Sequence, residues 1–434
     1  MKLESGEREL ESGPSARVGP LCGGEVGRLE YRKDTSIAMV SLASCSFGVT
    51  SLGLVSTLAS GGFEFFLCAL AFSVFVNYYS AMCFVHFAEE RRLKTVSDFS
   101  RKVCSRKIQV LNDLFFSLSM AGVLVISLVF MNSFMCQLFR QFISLEALTN
   151  PHNLFWLFLC SAFSFPVVLR RQLKDISFVT GLSIVAMTGL FVLILYWLVF
   201  KLETPDVFSP VEIERKPHTY SSVIFFTLYI LSYQANIIGI YDELRQRSKA
   251  RMKGILFAHS AVFYLYYCFI AIAGLALFQY DPSLFKKDLL SLFPQQHPLV
   301  LLVDVLMVFT SFVSFVTAFK PVKEILIDRL LYPGNAPMSE NRDMDKEYFE
   351  ARNLVFGVTL SLLTAVTFIA GILERSGLDF IKIIDLVALA IAPVVSLIVP
   401  IFCFASQTKT NSAWVVLAVT VALYIGGFIN RINA

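Results

Sequence analysis

The chain has 434 residues, 56% hydrophobic and only 16% charged, with a formal net charge of +4 and a mean hydropathy of +0.66. Soluble domains carry about 25% charged residues, so this composition excludes an ordinary water-soluble globular enzyme and predicts an all-α polytopic membrane protein. No nucleic-acid partner is expected; the partner the composition demands is the lipid bilayer.

Residues 1–35 are polar, charged and rich in Gly and Ser, with no apolar stretch to act as a cleavable signal, and read as a short disordered cytosolic tail. Apolar runs near the roughly 20 residues needed to span then follow at 36–59, 63–88, 109–139, 152–169, 176–200, 220–241, 251–279, 297–319, 352–373, 379–405 and 412–430. The longest polar interval, about 320–351, is too short to bury a core and reads as a loop. Within it Pro321 to Leu331 reads as an amphipathic stretch on the membrane surface, closed by the turn Tyr332-Pro-Gly-Asn-Ala-Pro337.

Eleven spans put the two termini on opposite sides. With the N-terminus cytosolic, the inward segments hold 28 of the 37 Lys and Arg, so the positive-inside rule predicts N-in and C-out. Of nine cysteines, Cys22 and Cys104 fall in cytosolic segments and the other seven inside apolar runs. No disulfide framework or zinc spacing emerges, and no Asn-x-Ser/Thr sequon is present.

Two runs are interrupted. In the first, Gly48 to Gly62 is dense in glycine and hydroxyl residues; in the sixth, Leu-Ser-Tyr-Gln-Ala-Asn-Ile-Ile-Gly239 places Gln234, Asn236 and Gly239 at mid-membrane. Backbone that leaves the helix inside a bilayer is tolerated only where it is buried or lines a cavity. Breaks near Gly48 and Ala235, five segments apart and opposite in direction, fit a five-plus-five inverted repeat around a transport site. The alternative is an ordinary small-residue packing face. The predicted organisation is a tail (1–35), a first repeat (36–200), an outward loop (201–219), a second repeat (220–405), and an eleventh helix with the C-terminus (406–434).

The interrupted segments resemble the amino acid/auxin permease family. Gly48, Leu52, Gly53, Leu54 and Gly62 match its segment-one signature Gly-x-Gly-x-Leu-Gly-Leu-Pro-Tyr-Ala-Phe. Ile240-Tyr-Asp-Glu-Leu-Arg-Gln-Arg-Ser-Lys-Ala-Arg-Met252 resembles Ile-Tyr-x-Glu-Leu-(x)3-Ser-(x)2-Arg-Met, while Gly274 and Phe278 fit the close of segment seven and Pro321-Val-Lys the Pro-Ile-Arg after segment eight. The chain departs at Thr50, Val55 and Ser56, where relatives have Gly, Pro and Tyr, and at Gln234-Ala235, where many have His-Pro. The resemblance implies a LeuT-like fold and secondary transport of amino acids driven by sodium or protons, with no further cofactor.

On that footing a zwitterion needs backbone N–H groups for its carboxylate and oxygens for its ammonium. The expected carboxylate contacts are Cys45, Ser46, Gly48, Val49 and Thr50; the carbonyls and amides of Tyr233, Gln234, Ala235 and Asn236 are expected to face the ammonium and the substrate side chain. Fold analogy places a cation between the carbonyls of Ser44 and Phe47 and the hydroxyls of Thr310, Ser311 and Ser314. Ionisable residues within spans are functional candidates by default: Asp304 and Asp385 as lining of an outer vestibule or proton relays, His259 as a titrating group, and Glu243 as part of an inner gate. Each has a structural alternative, namely pairing, snorkelling, packing or topology.

The expected protein is a monomeric transporter of a small amino acid in the plasma membrane or a vacuolar or lysosomal membrane. The alternatives are an amino-acid sensor that hardly moves its ligand, and a proton-linked carrier of another small organic solute.

Overall fold

The computed structural model describes residues 25–46, 49–140, 154–169, 177–201, 217–244, 247–278, 289–294, 296–331, 351–376 and 393–432, and all regular structure among them is helical. Of the described helices, eight are long and apolar enough to cross a membrane, and one bent pair makes a ninth.

That pair opens the bundle. Helix α1 (Glu25–Ser46) is followed by a 3-10 turn (Val49–Gly53) and α2 (Leu54–Gly61), with Asp34–Ser46 and Ser51–Gly61 bent by 55°. At the junction of turn and helix, Ser56 Oγ and Thr57 Oγ1 donate to the Gly53 carbonyl at 2.9 and 2.8 Å, so hydroxyls do there what water would do outside a membrane. Gly62 then stops α2 at φ 82°, its N–H bonded to the Leu58 carbonyl, a conformation glycine adopts without penalty.

Helix α3 (Phe63–Arg91) descends to a short amphipathic α4 (Val96–Val103), capped by a reciprocal Thr95–Asp98 box. Next come α5 (Arg106–Arg140), α6 (Phe155–Val168) and α7 (Ser177–Lys201). The sixth predicted span is two helices, α8 (Pro217–Ile230) and α9 (Gln234–Glu243). Beyond it lie α10 (Lys249–Phe278), α11 (Pro298–Leu331), α12 (Arg352–Ser376), α13 (Val399–Thr408) and α14 (Asn411–Ile432).

Helix α11 corrects one expectation. Pro321 to Leu331 is the continuation of the eighth span, with Pro321 inside it, and no separate surface helix forms. Tertiary contacts override the missing proline N–H. Val322, Ile325 and Ile327 are buried, Arg329 Nε and Nη2 hold Asp113 Oδ2 of α5 at 3.0 and 2.5 Å, and the buried Lys323 ammonium donates to the Val168 carbonyl at the end of α6 at 2.5 Å. A lysine on the last carbonyls of a helix satisfies orphan acceptors and complements the helix dipole.

A π-turn, Val394–Ile398, precedes α13. Pro400 has no N–H to offer the carbonyl four residues back, that of Ser396, and the buried Ser80 hydroxyl of α3 donates to it instead.

Two apolar cores sit on either side of the interruptions. One gathers Leu42, Phe84, Phe87, Ile237, Phe315 and Phe319, the other Leu58, Phe66, Leu190, Phe226, Phe263 and Met307. Glycine sets how closely the outer core closes. A Cβ on Gly53 or Gly61 of α2 would lie 2.9 or 2.7 Å from Phe226 or Val223 of α8, and one on Gly274 of α10 would collide with Val55 Cγ2. Small residues at such crossings let membrane helices approach, so these glycines are packing residues, and among the described glycines Gly62 alone takes a positive φ.

Gly274→Ala should therefore overpack the α2–α10 crossing and cost about 1–3 kcal/mol. Thermal unfolding in detergent should show the loss, and Val55→Ala in the same chain should recover most of it.

Candidate functional site

A cavity of ≈ 80 Å³ lies between the two interruptions. Four elements bring polar groups to it: Cys45 and Ser46 from the end of α1, Ser232 from the α8–α9 link, Ala235 and Asn236 from the start of α9, and Ser314 and Thr317 from α11. The opposite wall is apolar, with Met120, Val123 and Ile126 of α5, Ile230 of α8 and Ala318 of α11, joined by Ser127 and Tyr229. No charged side chain is among the lining residues.

The end of α1 is held from α10. Tyr267 Oη donates to the Ser46 carbonyl at 2.8 Å and His259 Nε2 lies 2.9 Å from Ser46 Oγ. Spaced eight residues apart, His259 and Tyr267 share one face of α10, so one helix grips both the backbone and the side chain of the residue at the break. The His259 ring is buried, edge to face with Tyr233 at 4.9 Å and 4.2 Å from Phe263.

The link in the sixth span is three residues, Leu231 to Tyr233, closed by Ser232 N–H to Tyr229 O at 2.9 Å and Tyr233 N–H to Leu231 O at 3.0 Å. Helix α9 starts at Gln234, which changes the chemistry expected there. Gln234, Ala235 and Asn236 form a first helical turn; the Asn236 N–H bonds the Tyr233 carbonyl at 3.3 Å, which leaves the amides of Gln234 and Ala235 as the donors of that turn, and the exposed carbonyls belong to the last turn of α8. An ammonium therefore has acceptors at the ends of α1 and α8, and a carboxylate has donors at the starts of α9 and of the Val49–Gly53 turn.

Gln234 is the clearest correction. Its amide points to α3, with Nε2 2.5 Å from Asn77 Oδ1, while Asn77 Nδ2 donates to Ser73 O at 2.8 Å and Leu228 O at 3.3 Å. The side chain ties α9 to α3 and does not line the cavity.

Of the expected contacts, Cys45, Ser46, Ala235 and Asn236 line the cavity and Tyr233 is buried behind it against His259. Val49 and Thr50 lie in the 3-10 turn; Phe47, Gly48 and Asp385 lie outside the described residues. Among the expected cation ligands only Ser314 lines the cavity. Ser44 Oγ donates to Ser41 O at 2.8 Å, Thr310 Oγ1 to Leu306 O at 3.1 Å and Ser311 Oγ to Met307 O at 2.9 Å. Back-bonded hydroxyls of this kind are common in membrane helices, and each oxygen keeps a lone pair. Asp304 is fully buried, which removes it from the lining of an outer vestibule: the face of α11 that carries it packs against neighbouring helices. Glu243 ends α9 and is exposed.

Sequence reasoning missed the α5 wall, Tyr229, Ile230, Ser232 and Thr317. The apolar members of that set carry no signal that separates a cavity wall from a core. Ser232 sits inside the interrupted string and Thr317 one turn from Ser314, so the string itself pointed to the first and helical spacing to the second.

A family model described as transmembrane amino acid transporter protein matches residues 33–430. Two solved structures are similar in fold. One is a Na+-coupled sialic acid symporter in a substrate-bound outward-open state, 12% identical, with a TM-score of 0.56 over 93% of this chain and 90% of that one. The other is MhsT in complex with L-phenylalanine, 15% identical, with a TM-score of 0.57 over 91% of this chain and 96% of that one. Comparison by sequence with curated proteins gives no match.

Tyr267→Phe should leave the Ser46 carbonyl without this donor in a buried site and cost about 1–3 kcal/mol. Differential scanning in detergent should register that loss; an unchanged midpoint would show that the carbonyl has another partner.

Proposed function

Because the chain belongs to the transmembrane amino acid transporter family, we propose that it is a secondary active transporter of small neutral amino acids, working by alternating access from the cavity between the two interrupted helices. The observation that carries this reading is the convergence of three helix ends, those of α1 and α8 and the start of α9, on one small cavity without a charged side chain. Amide-rich and carbonyl-rich ends together match the two charges of a zwitterion, and the apolar wall suits a short aliphatic side chain. Asn236 supplies the neutral amide beside the backbone donors of α9.

The architecture that goes with it is eleven spans, two five-helix inverted repeats and one added helix. In support, eight long helices, the bent α1–α2 pair and two shorter apolar helices, Phe155–Val168 and Val394–Thr408, account for that number. The excess of Lys and Arg on one face supports a cytosolic N-terminus.

Two coupling ions have features in their favour. Sodium fits hydroxyl and carbonyl oxygens where α1 and α11 meet, with Ser314 at the cavity and Ser44, Thr310 and Ser311 close by in sequence. A proton fits His259, which reaches Ser46 at the lining itself.

Uptake of a labelled amino-acid panel into proteoliposomes under imposed sodium or proton gradients tests the whole reading. Alanine- or serine-sized substrates should accumulate, lysine and glutamate should not, and binding without accumulation under any gradient would favour a sensor. Asn236→Ala should raise KM on the order of ten- to a hundred-fold, as for loss of a hydrogen bond to a charged group worth about 1.5–3 kcal/mol. Uptake that survives replacement of sodium by choline, is indifferent to Ser314→Ala and is abolished by His259→Gln would assign the coupling to protons.

A further inference from the structure

We propose that Cys104 and Cys403 form a dithiol that small disulfides convert to a reversible cross-link between the α4–α5 corner and α13. Their sulfurs are 3.8 Å apart although the residues are 299 positions apart in sequence. Cys104 caps the C-terminal end of α4 in an extended conformation, φ −86° and ψ 149°, directly before α5 begins. Cys403 lies in the middle of α13 and is buried, whereas Cys104 is half-buried. A disulfide needs an S–S separation of about 2.05 Å, so the sulfurs have about 1.8 Å to close, a distance on the scale of a side-chain rotation.

The chemistry follows from that difference in exposure. The Cys104 thiolate attacks one sulfur of glutathione disulfide and expels one glutathione thiolate; the Cys403 thiolate then attacks the Cys104 sulfur of the mixed disulfide and expels the second. Two protein thiols lose two electrons and two protons, and one glutathione disulfide becomes two glutathione thiols. Cys104 is the entry point because it is the more exposed residue of the two, and Cys403 is the resolving partner because it is buried and already in contact.

The cross-link falls beside an irregular turn of the fold. Helix α13 follows the π-turn Val394–Ile398 and its proline-deprived carbonyl, an irregularity that often marks functional flexibility. Next to Cys403, Phe404 packs its ring on Tyr79, His86 and Phe87 of α3. Cys104 belongs to the opposite group, since it leads into α5, which is bound to α11 through Asp113 and Arg329. A covalent bond between them joins α3 and α13 to α5 and α11 at the face where α1 enters the bundle. If the protein transports as proposed above, and only then, that bond also stops the cycle.

The full-length protein in proteoliposomes, treated with glutathione disulfide, provides the test. Non-reducing digestion and mass spectrometry should find one peptide linking Cys104 to Cys403, and the melting temperature should rise by several degrees, with dithiothreitol reversing both. Uptake should fall at least five-fold in the unmodified protein and recover with dithiothreitol, while Cys104→Ser and Cys403→Ala keep their uptake under the same treatment. The linked peptide and the melting shift do not depend on transport, so they judge the dithiol even if no substrate accumulates. Glutathione retained on Cys104 with no linked peptide would overturn the cross-link, and equal loss of uptake in Cys104→Ser would overturn its control of transport.

Discussion

Every backbone donor and acceptor that leaves a helix inside hydrocarbon must find a partner within the protein, and the described bundle is organised around the places where that happens. Where α1 ends, the Ser46 carbonyl takes the Tyr267 hydroxyl; where α13 begins, the Ser396 carbonyl takes the Ser80 hydroxyl; where α6 ends, Val168 takes the Lys323 ammonium. In each case the donor comes from a different helix. Satisfying the break and fixing the neighbour are thus the same interaction, and a broken helix becomes a site of tertiary attachment.

Much of the fold was legible in the sequence because hydrophobic length is a direct consequence of bilayer thickness. The two interruptions were legible too, since glycine and hydroxyl residues are conspicuous in apolar runs. Their exact chemistry was not. Gln234 looked like a lining residue, yet an amide in a low-dielectric interior goes to the best partner in reach, and Asn77 offers its Nε2 an acceptor, Oδ1, that is itself held in place by the bonds of Asn77 Nδ2 to Ser73 and Leu228. Gly53 and Gly61 looked like part of a break, yet they are where α2 meets Phe226 and Val223. Composition alone does not separate a glycine that bends the chain from one that lets a neighbour in. The α5 wall was invisible for a simpler reason: Met120, Val123 and Ile126 read identically whether they face a cavity or a core.

The same ambiguity explains Asp304 and His259. Position along a helix gave their depth but not their azimuth. Asp304 faces inward among packed helices, while His259 and Tyr267 fall on one face of α10 and meet the break.

The cross-helix hydrogen bonds described here sort the helices into two sets. α1, α3, α8, α9 and α10 are joined by Tyr267–Ser46, His259–Ser46, Gln234–Asn77 and Asn77–Leu228; α5, α6 and α11 are joined by Arg329–Asp113 and Lys323–Val168. The cavity lies where the sets meet, and on the second set the hydroxyls of Ser127 and Thr317 are bonded within their own helices. Shear along that boundary exchanges one set of dispersion contacts for another, with none of these hydrogen bonds broken. The cavity's apolar wall is thus the part of that boundary held by dispersion contacts, and it coincides with the space between the broken helices.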